Sequence, residues 1–213
     1  MRVRNSLRIV SIKSVDRSFL ILGILTTFFL GGSFYGFRFS EFCTTNPQTD
    51  IAEYLIDFCI IAKSAPLNTS FFRTLVLFFS YPLAVVLAGI SPLGVVLIPV
   101  LSFCLGFGTL FTIQCFLYTF SRAGIYPVLA LLSIRLIIIL FCFLFLAVEM
   151  LPQAWRIAQV TIRNRKFCES VYHGRRVAVL TLFCSVLLIS GVCCEKLLIP
   201  TLFRLALKKI FST

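Results

Sequence analysis

The sequence predicts an all-α protein, a polytopic membrane helix bundle with about five transmembrane helices and one extracytoplasmic amphipathic helix. Hydrophobic residues make up 59% of the 213-residue chain and charged residues only 13%, whereas soluble domains are about half apolar and a quarter charged. The mean hydropathy is +1.01. Because the 24 Phe are spread along the whole chain, neither a disordered chain nor a soluble domain with a single membrane anchor fits this composition.

A basic N-terminal segment, residues 1–17, precedes the first span. We expect it to be cytoplasmic, because cytoplasmic segments of membrane proteins collect Lys and Arg. The span is predicted at residues 18–37, and its length and the lack of a following A-x-A site favour an uncleaved helix over a signal peptide. Within it, Gly32 and Gly36 lie four residues apart, which predicts a face for close helix packing.

A polar segment at residues 38–70 follows and is expected to be extracytoplasmic. Residues 51–62 within it have the spacing of an amphipathic helix, which we expect to lie on the membrane surface or to pack over the spans. Cys43 and Cys59 share this segment, so a disulfide between them is one possibility, and burial of Cys59 in the amphipathic helix is the other.

The central part of the chain, residues 71–148, is predicted to hold three spans joined by short turns. Pro82 and Pro99 lie in the first two of them and are expected to bend the helices, because proline removes a backbone hydrogen bond. Gly106 and Gly108 lie in the second. The three predicted spans are residues 72–90, 93–120 and 125–148.

The next segment, residues 149–176, is strongly basic and is predicted to be cytoplasmic, in contact with anionic lipid head groups. A fifth span is predicted at residues 177–194, followed by an amphipathic tail at 195–213. Five spans place this basic tail outside, against the positive-inside rule; we keep the model because the first span usually dominates orientation, with a re-entrant tail as the alternative. The net charge of +12 is therefore assigned to membrane orientation and not to nucleic-acid binding.

No enzymatic chemistry is predicted, and no cofactor or metal. The spans contain no pair of Asp, no H-E-x-x-H occurs, and the single histidine, His173, lies in the basic segment, so the chain lacks what intramembrane proteases require. The nine Cys lie mostly in apolar runs, where Cys behaves as a small hydrophobe, and the absence of C-x-x-C disfavours a zinc site.

Arg135 is the charge that the sequence places near the middle of a span, the fourth. An intramembrane charge is either paired within the bundle or part of a functional site, and we favour the structural pairing. Gln114 is the expected partner, since it lies at a similar depth if the third and fourth spans are antiparallel neighbours. Glu195 lies at the outer end of the fifth span, where the residues alone indicate a solvated interfacial carboxylate.

The order of these features resembles the stage II sporulation protein M family. A basic N-terminus, a glycine-rich first span and an outer helix precede Gly106-Phe107-Gly108-Thr109-Leu110-Phe111, which is similar to that family's glycine-and-phenylalanine stretch. Near the end, Glu195-Lys-Leu-Leu-Ile-Pro200 is similar to the family's Glu-x-x-x-x-Pro. The chain departs from the family where Ser133-Ile134-Arg135 stands in place of a common Pro-Gln-Asn.

The resemblance implies a non-enzymatic scaffold in the bacterial cell membrane that acts in engulfment during endospore formation. It implies partners that degrade peptidoglycan, stage II sporulation proteins D and P. It also implies a role in partner contact for Glu195, and Pro200 of the same motif is a further candidate for function or packing. The alternative function is a membrane subunit of a transporter or channel, in which the two helix prolines, the two glycines of the third span and Arg135 would surround a substrate.

Overall fold

The computed structural model describes the backbone of residues 2–45, 57, 71–120, 125–163 and 171–210, and the side chains of a subset of these. Apart from the turn at 91–93, these ranges are helical, which confirms the predicted all-α class. The helices with described bounds are α1 (Arg2–Thr45), α2 (Phe71–Ile90), α3 (Gly94–Phe120), α4 (Ile125–Arg163) and α5 (Val171–Ile210).

Four helical segments in the described part of the chain are long and apolar enough to cross a membrane. α2 adds a shorter apolar segment, Thr74–Ile90. The predicted multi-pass membrane helix bundle is thereby confirmed, with four described helices long enough to span a membrane. The long spans are Ser18–Cys43, Gly94–Thr119, Arg135–Thr161 and Val177–Leu197.

Three helices continue past the span ends that the sequence predicted. α1 ends at Thr45 instead of Phe37, and α4 ends at Arg163 instead of Val148. α5 joins the predicted fifth span and most of the tail into one helix that ends at Ile210. The predictions followed the apolar side chains, whereas a helix continues as long as its backbone hydrogen bonds do, so polar residues beyond the hydrocarbon do not end it.

These longer helices change the predicted organisation. The basic segment 149–176 begins as a continuation of the fourth span, and the tail is neither separate nor re-entrant between residues 195 and 210. At 1.5 Å per residue, α1, α4 and α5 are each roughly 60 Å long, about twice the hydrocarbon thickness of a bilayer. The predicted amphipathic helix at 51–62 lies, apart from residue 57, outside the described residues.

The directions of the helices follow from their contacts. In α1 and α3, Ser102 Oγ donates a hydrogen bond to the Leu25 carbonyl (2.9 Å), and Gly36 lies against Phe107 further along both helices, so the two run parallel. Parallel helices cross a membrane in the same direction. α2 is the helix described between them along the chain.

α4 and α5 run antiparallel. Cys142 Sγ lies 3.9 Å from the Cys184 carbonyl oxygen, while Ile138, one turn earlier in α4, lies against Gly191, further along α5.

The buried core lies where α2, α3, α4 and α5 meet, with α4 in contact with all the others. α1 packs mainly on α3 and leaves most of its large apolar side chains exposed, as expected for a helix that faces lipid. The largest fully buried side chains are Phe78, Phe143, Leu25, Ile98, Leu146, Met150, Leu188, Val85 and Val192.

Candidate functional site

α1 and α3 touch backbone to backbone. Gly32 of α1 lies against the carbonyl group of Phe103, and Gly106 of α3 lies against the carbonyl group of Phe29. Gly36 makes the same kind of contact one turn after Gly32. A Cβ atom at any of these three glycines would overlap with the facing carbonyl oxygen. The packing face predicted at Gly32 and Gly36 is confirmed, and α3 is the helix that it meets.

Two buried hydroxyl groups link the same helices. Ser102 Oγ donates to the Leu25 carbonyl at 2.9 Å, and Ser33 Oγ donates to the Gly106 carbonyl at 3.4 Å. Both serine side chains are small enough to let the helices lie close together. Each hydroxyl group donates a hydrogen bond to a backbone carbonyl of the other helix. This contact, which we call the glycine seam, is formed by Leu25, Phe29, Gly32, Ser33, Gly36, Ser102, Phe103, Gly106 and Phe107.

The glycine-and-phenylalanine stretch of α3 serves this packing. Gly106 lies in the glycine seam, whereas Gly108 has open space where a Cβ would be and faces away from α1. Phe107 and Phe111 stack with ring centroids 5.9 Å apart, and Phe39 of α1 lies against both rings. The motif that carries the family resemblance is therefore, in this fold, a helix-packing motif.

The turn between α2 and α3 is held against α4. Gly89 faces the side chain of Met150, with Sδ 2.6 Å from the position of a glycine Cβ, and Gly94 lies against the Ala88 carbonyl and the Ala154 side chain. Met150 and Ala154 belong to the part of α4 that the sequence assigned to a polar cytoplasmic segment. Both are buried, so this part of α4 is still engaged in the bundle.

Arg135 lies where α2, α4 and α5 meet. Its guanidinium carbon is 5.8 Å from the centroid of the Phe78 ring, a cation–π geometry, and Phe78 is fully buried. Arg135 also interacts electrostatically with Glu195 of α5. The prediction that Arg135 lies near the middle of a span is wrong, because the described span begins at Arg135, at the level where Glu195 lies near the end of another span.

Glu195 carries a buried acceptor. Its Oε2 atom has no hydrogen-bond partner among the described residues, and Lys196 is its other charged neighbour. A carboxylate oxygen in this state is costly unless a nearby positive charge offsets its lost hydration. Glu195 is therefore an element of the bundle and not a freely solvated surface carboxylate.

The remaining candidate residues are placed as follows. Gln114 is half-buried on α3, and the contacts described for Arg135 do not include it. Pro200 lies within the continuous helix α5, and its side chain is outside the described ones. The described cysteine neighbour of Cys43 is Cys115 of α3. Cys59 lies outside the described residues.

The described residues form no group of three or more potential metal ligands. A groove of about 780 Å³ runs along the exposed face of α1. It is open to the side and mostly apolar, as a lipid-facing surface is. Its lining residues are Phe19, Leu20, Gly23, Ile24, Thr27 and Phe28.

Sequence reasoning missed two residues that shape the polar site. In the sequence, Phe78 is one apolar residue among many, and Gly191 is a residue of the fifth span to which no role was assigned. The structure places the two in contact, 3.1 Å between Phe78 Cε1 and the position of a Cβ at Gly191. A small residue one helical turn before Glu195, in an apolar run, was the available signal. Gln153, whose Nε2 atom is buried without a described hydrogen-bond partner, lies further along α4, outside this site.

Comparison of the whole chain with models of protein families, with curated proteins and with solved structures finds no match.

Proposed function

We propose that this chain is a non-enzymatic membrane scaffold in a bacterial cell membrane, of the kind that its resemblance to stage II sporulation protein M implies. The partners under this proposal are membrane lipids and peptidoglycan-degrading proteins such as stage II sporulation proteins D and P. The observation that carries it is the length of α1, α4 and α5. Each is about twice as long as the bilayer core is thick, so each presents helical surface outside the membrane on a rigidly packed bundle.

The positions of Gly106 and Gly108, away from Arg135, favour the scaffold over the transporter alternative. Pro82 and Pro99 lie inside continuous helices and not in unwound segments. Gly106 is closed off in the glycine seam, and Gly108 faces outwards. Arg135 lies on another side of the bundle core, between α2, α4 and α5. A transporter site built on broken helices needs these elements around one cavity.

The proposed orientation places the N-terminus in the cytoplasm. Parallel α1 and α3 start at the same end of the bundle, where α4 ends and α5 begins, so residues 2–17 share this end with Arg156, Arg163, Arg175 and Arg176. Such an accumulation of positive charge is typical of the cytoplasmic side.

Cysteine labelling in intact cells tests this orientation. Single cysteines are placed at Thr45 and at Asn164 in a background without the nine native ones, because native Cys43, Cys104, Cys193 and Cys194 are not buried. A membrane-impermeant reagent should label the first position and spare the second until the cells are lysed. Labelling of Asn164→Cys with protection of Thr45→Cys would invert the orientation.

Deletion of the gene tests the function in an endospore-forming host. Engulfment should stop at the septum, and the wild-type gene should restore it. A gene with Gly31→Leu should also restore engulfment, whereas a gene with Gly32→Leu should not. Only the side chain introduced at Gly32 would overlap with the Phe103 carbonyl. Normal engulfment after removal of every copy would exclude the proposal.

A further inference from the structure

The contact between α4 and α5 sets the level of two opposite charges. Cys142 faces Cys184, and one turn nearer the start of α4, Ile138 faces Gly191 with its Cδ1 atom 2.8 Å from the position of a Cβ. Antiparallel helices that continue in this register bring Arg135 and Glu195 opposite each other in the next turn. The two charges thus meet as a consequence of helix packing.

The surroundings of the two charges give them few other partners. Phe78 of α2 lies beneath the guanidinium group of Arg135 and also contacts Gly191, so its ring separates the charges from the apolar interior. Oε2 of Glu195 is buried and lacks a hydrogen bond within the described residues. Lys196, the other charged neighbour of Glu195, directly follows it on α5 and so belongs to the same helix.

The geometry is that of a long-range charge pair. Among the described side chains, an ion pair within 4.0 Å joins Arg38 and Glu41 at 3.5 Å, but none joins Arg135 and Glu195. The Arg38–Glu41 side chains are 65% and 46% exposed and belong to one helix, so water screens them. Charges between packed helices are screened much less, and they interact over longer distances.

We propose that Arg135 and Glu195 are each other's counter-charge and form an electrostatic clamp between α4 and α5. The clamp lies at the base of the C-terminal extension of α5, residues 196–210, which continues as helix beyond it. It therefore fixes the direction in which this extension leaves the bundle. The inference concerns the bundle itself and holds whether or not the chain is a scaffold.

Hydrogen–deuterium exchange on the full-length protein in lipid nanodiscs tests the clamp. Glu195→Gln leaves Arg135 without its counter-charge and should speed exchange of the amides of residues 196–210 by about tenfold or more, since it removes one partner of a partly buried pair. The glycine seam should exchange as in the wild type. The charge swap Arg135→Glu with Glu195→Arg should return the exchange of 196–210 most of the way to the wild-type rate.

Two control variants separate the clamp from weaker interactions. Glu41→Gln removes the exposed ion pair of α1, and Lys196→Gln removes the other charged neighbour of Glu195; neither should speed exchange of residues 196–210 more than about twofold. If Lys196→Gln matches Glu195→Gln, the counter-charge is Lys196 and the clamp does not exist. If Gln114→Leu accelerates exchange around Arg135 and Glu195→Gln does not, Gln114 is the partner and the proposal fails.

A second measurement applies if Glu195→Gln does not accumulate as folded protein. Arg135→Leu combined with Glu195→Leu removes both charges and keeps apolar volume, so its folded yield should exceed that of either single Leu variant. A double variant that yields no more folded protein than the worse single variant would show that the charges act independently. Equal acceleration of exchange in the glycine seam and in residues 196–210 would also overturn the clamp, since it would indicate general destabilisation.

Discussion

The α1–α3 and α4–α5 contacts hold two helix pairs together by different means. In the glycine seam the helices approach until Gly32 and Gly106 touch carbonyl groups of the opposite helix, and two serines donate hydrogen bonds across it. Between α4 and α5, side chains fill the space, and a pair of opposite charges lies at one end of the contact. The first contact is defined by backbone and the second by side chains.

This difference follows from the membrane environment. Lipid tails are as apolar as leucine, so helices gain nothing from hiding apolar side chains from them and associate through close packing and polar contacts. A backbone contact cannot adapt to an added atom, because moving a carbonyl group moves the helix. A side-chain contact adapts by a change of rotamer, so the two contacts should respond differently to the same substitution.

The largest expected effect is the loss of the glycine seam. Gly32→Leu should reduce the yield of folded protein by about tenfold or more, since overpacking by side chains alone already costs about 1–3 kcal/mol and here the obstacle is the Phe103 backbone. Gly31→Leu is the matched control, because Gly31 has nothing within 4 Å of an added Cβ. Fluorescence-detected size exclusion after detergent extraction measures both. Equal yields of the two variants would contradict the seam.

An intermediate effect is expected at Gly191 in the α4–α5 contact. A Cβ there meets Ile138 Cδ1 at 2.8 Å and Phe78 Cε1 at 3.1 Å, both of which are ends of side chains. Gly191→Ala should therefore lower the melting temperature in detergent by only a few degrees, about 1 kcal/mol. Adding Ile138→Val, which removes the Cδ1 atom, should recover part of the loss.

The rescue sharpens the comparison between the two contacts. Ile138→Val relieves the obstacle at Gly191, but no side-chain substitution removes the Phe103 carbonyl that faces Gly32. The double variant Gly32→Ala with Phe103→Leu should therefore be as unstable as Gly32→Ala alone. If Phe103→Leu rescued Gly32→Ala, the seam would be limited by side chains as the α4–α5 contact is.

The sequence predicted the helical class and the packing face of α1 because both depend on local patterns. Apolar runs indicate spans, and the four-residue spacing of Gly32 and Gly36 places them on one face whatever they meet. Helix ends were predicted too early, since polar residues such as Arg38 end an apolar run without ending a helix.

The surroundings of Arg135 depend on which helices are neighbours, and the sequence does not specify this. Gln114 was expected as its partner because the third and fourth spans are consecutive. In the fold, α4 packs chiefly on α5 and α2, which brings Glu195 and Phe78 to Arg135. Counting residues from the start of α4 also misjudged depth, since that helix is longer than a bilayer is thick.

The smallest expected effect is the loss of one buried hydroxyl from the glycine seam. Ser102 is fully buried, and its hydroxyl donates to the Leu25 carbonyl of α1 at 2.9 Å. Ser102→Ala keeps the helices equally close and removes only this hydrogen bond, which in membrane helices contributes about 0.6 kcal/mol on average. The Leu25 carbonyl keeps the helical hydrogen bond within α1, so no acceptor is left without a partner.

Thr112→Ala is the matched control for this hydroxyl. Thr112 Oγ1 donates at 2.8 Å to the Gly108 carbonyl of its own helix, on an open side of α3, so its removal should leave helix association unchanged. Reversible unfolding in mixed micelles resolves differences of this size when the variants are measured side by side. If Ser102→Ala lowered the free energy of unfolding by about 2 kcal/mol or more, the loss would exceed the largest values found for single interhelical hydrogen bonds. Hydrogen bonding, and not close packing, would then hold the glycine seam together. In that case Ser102→Cys, which keeps the small volume but donates only weakly, should be nearly as unstable as Ser102→Ala.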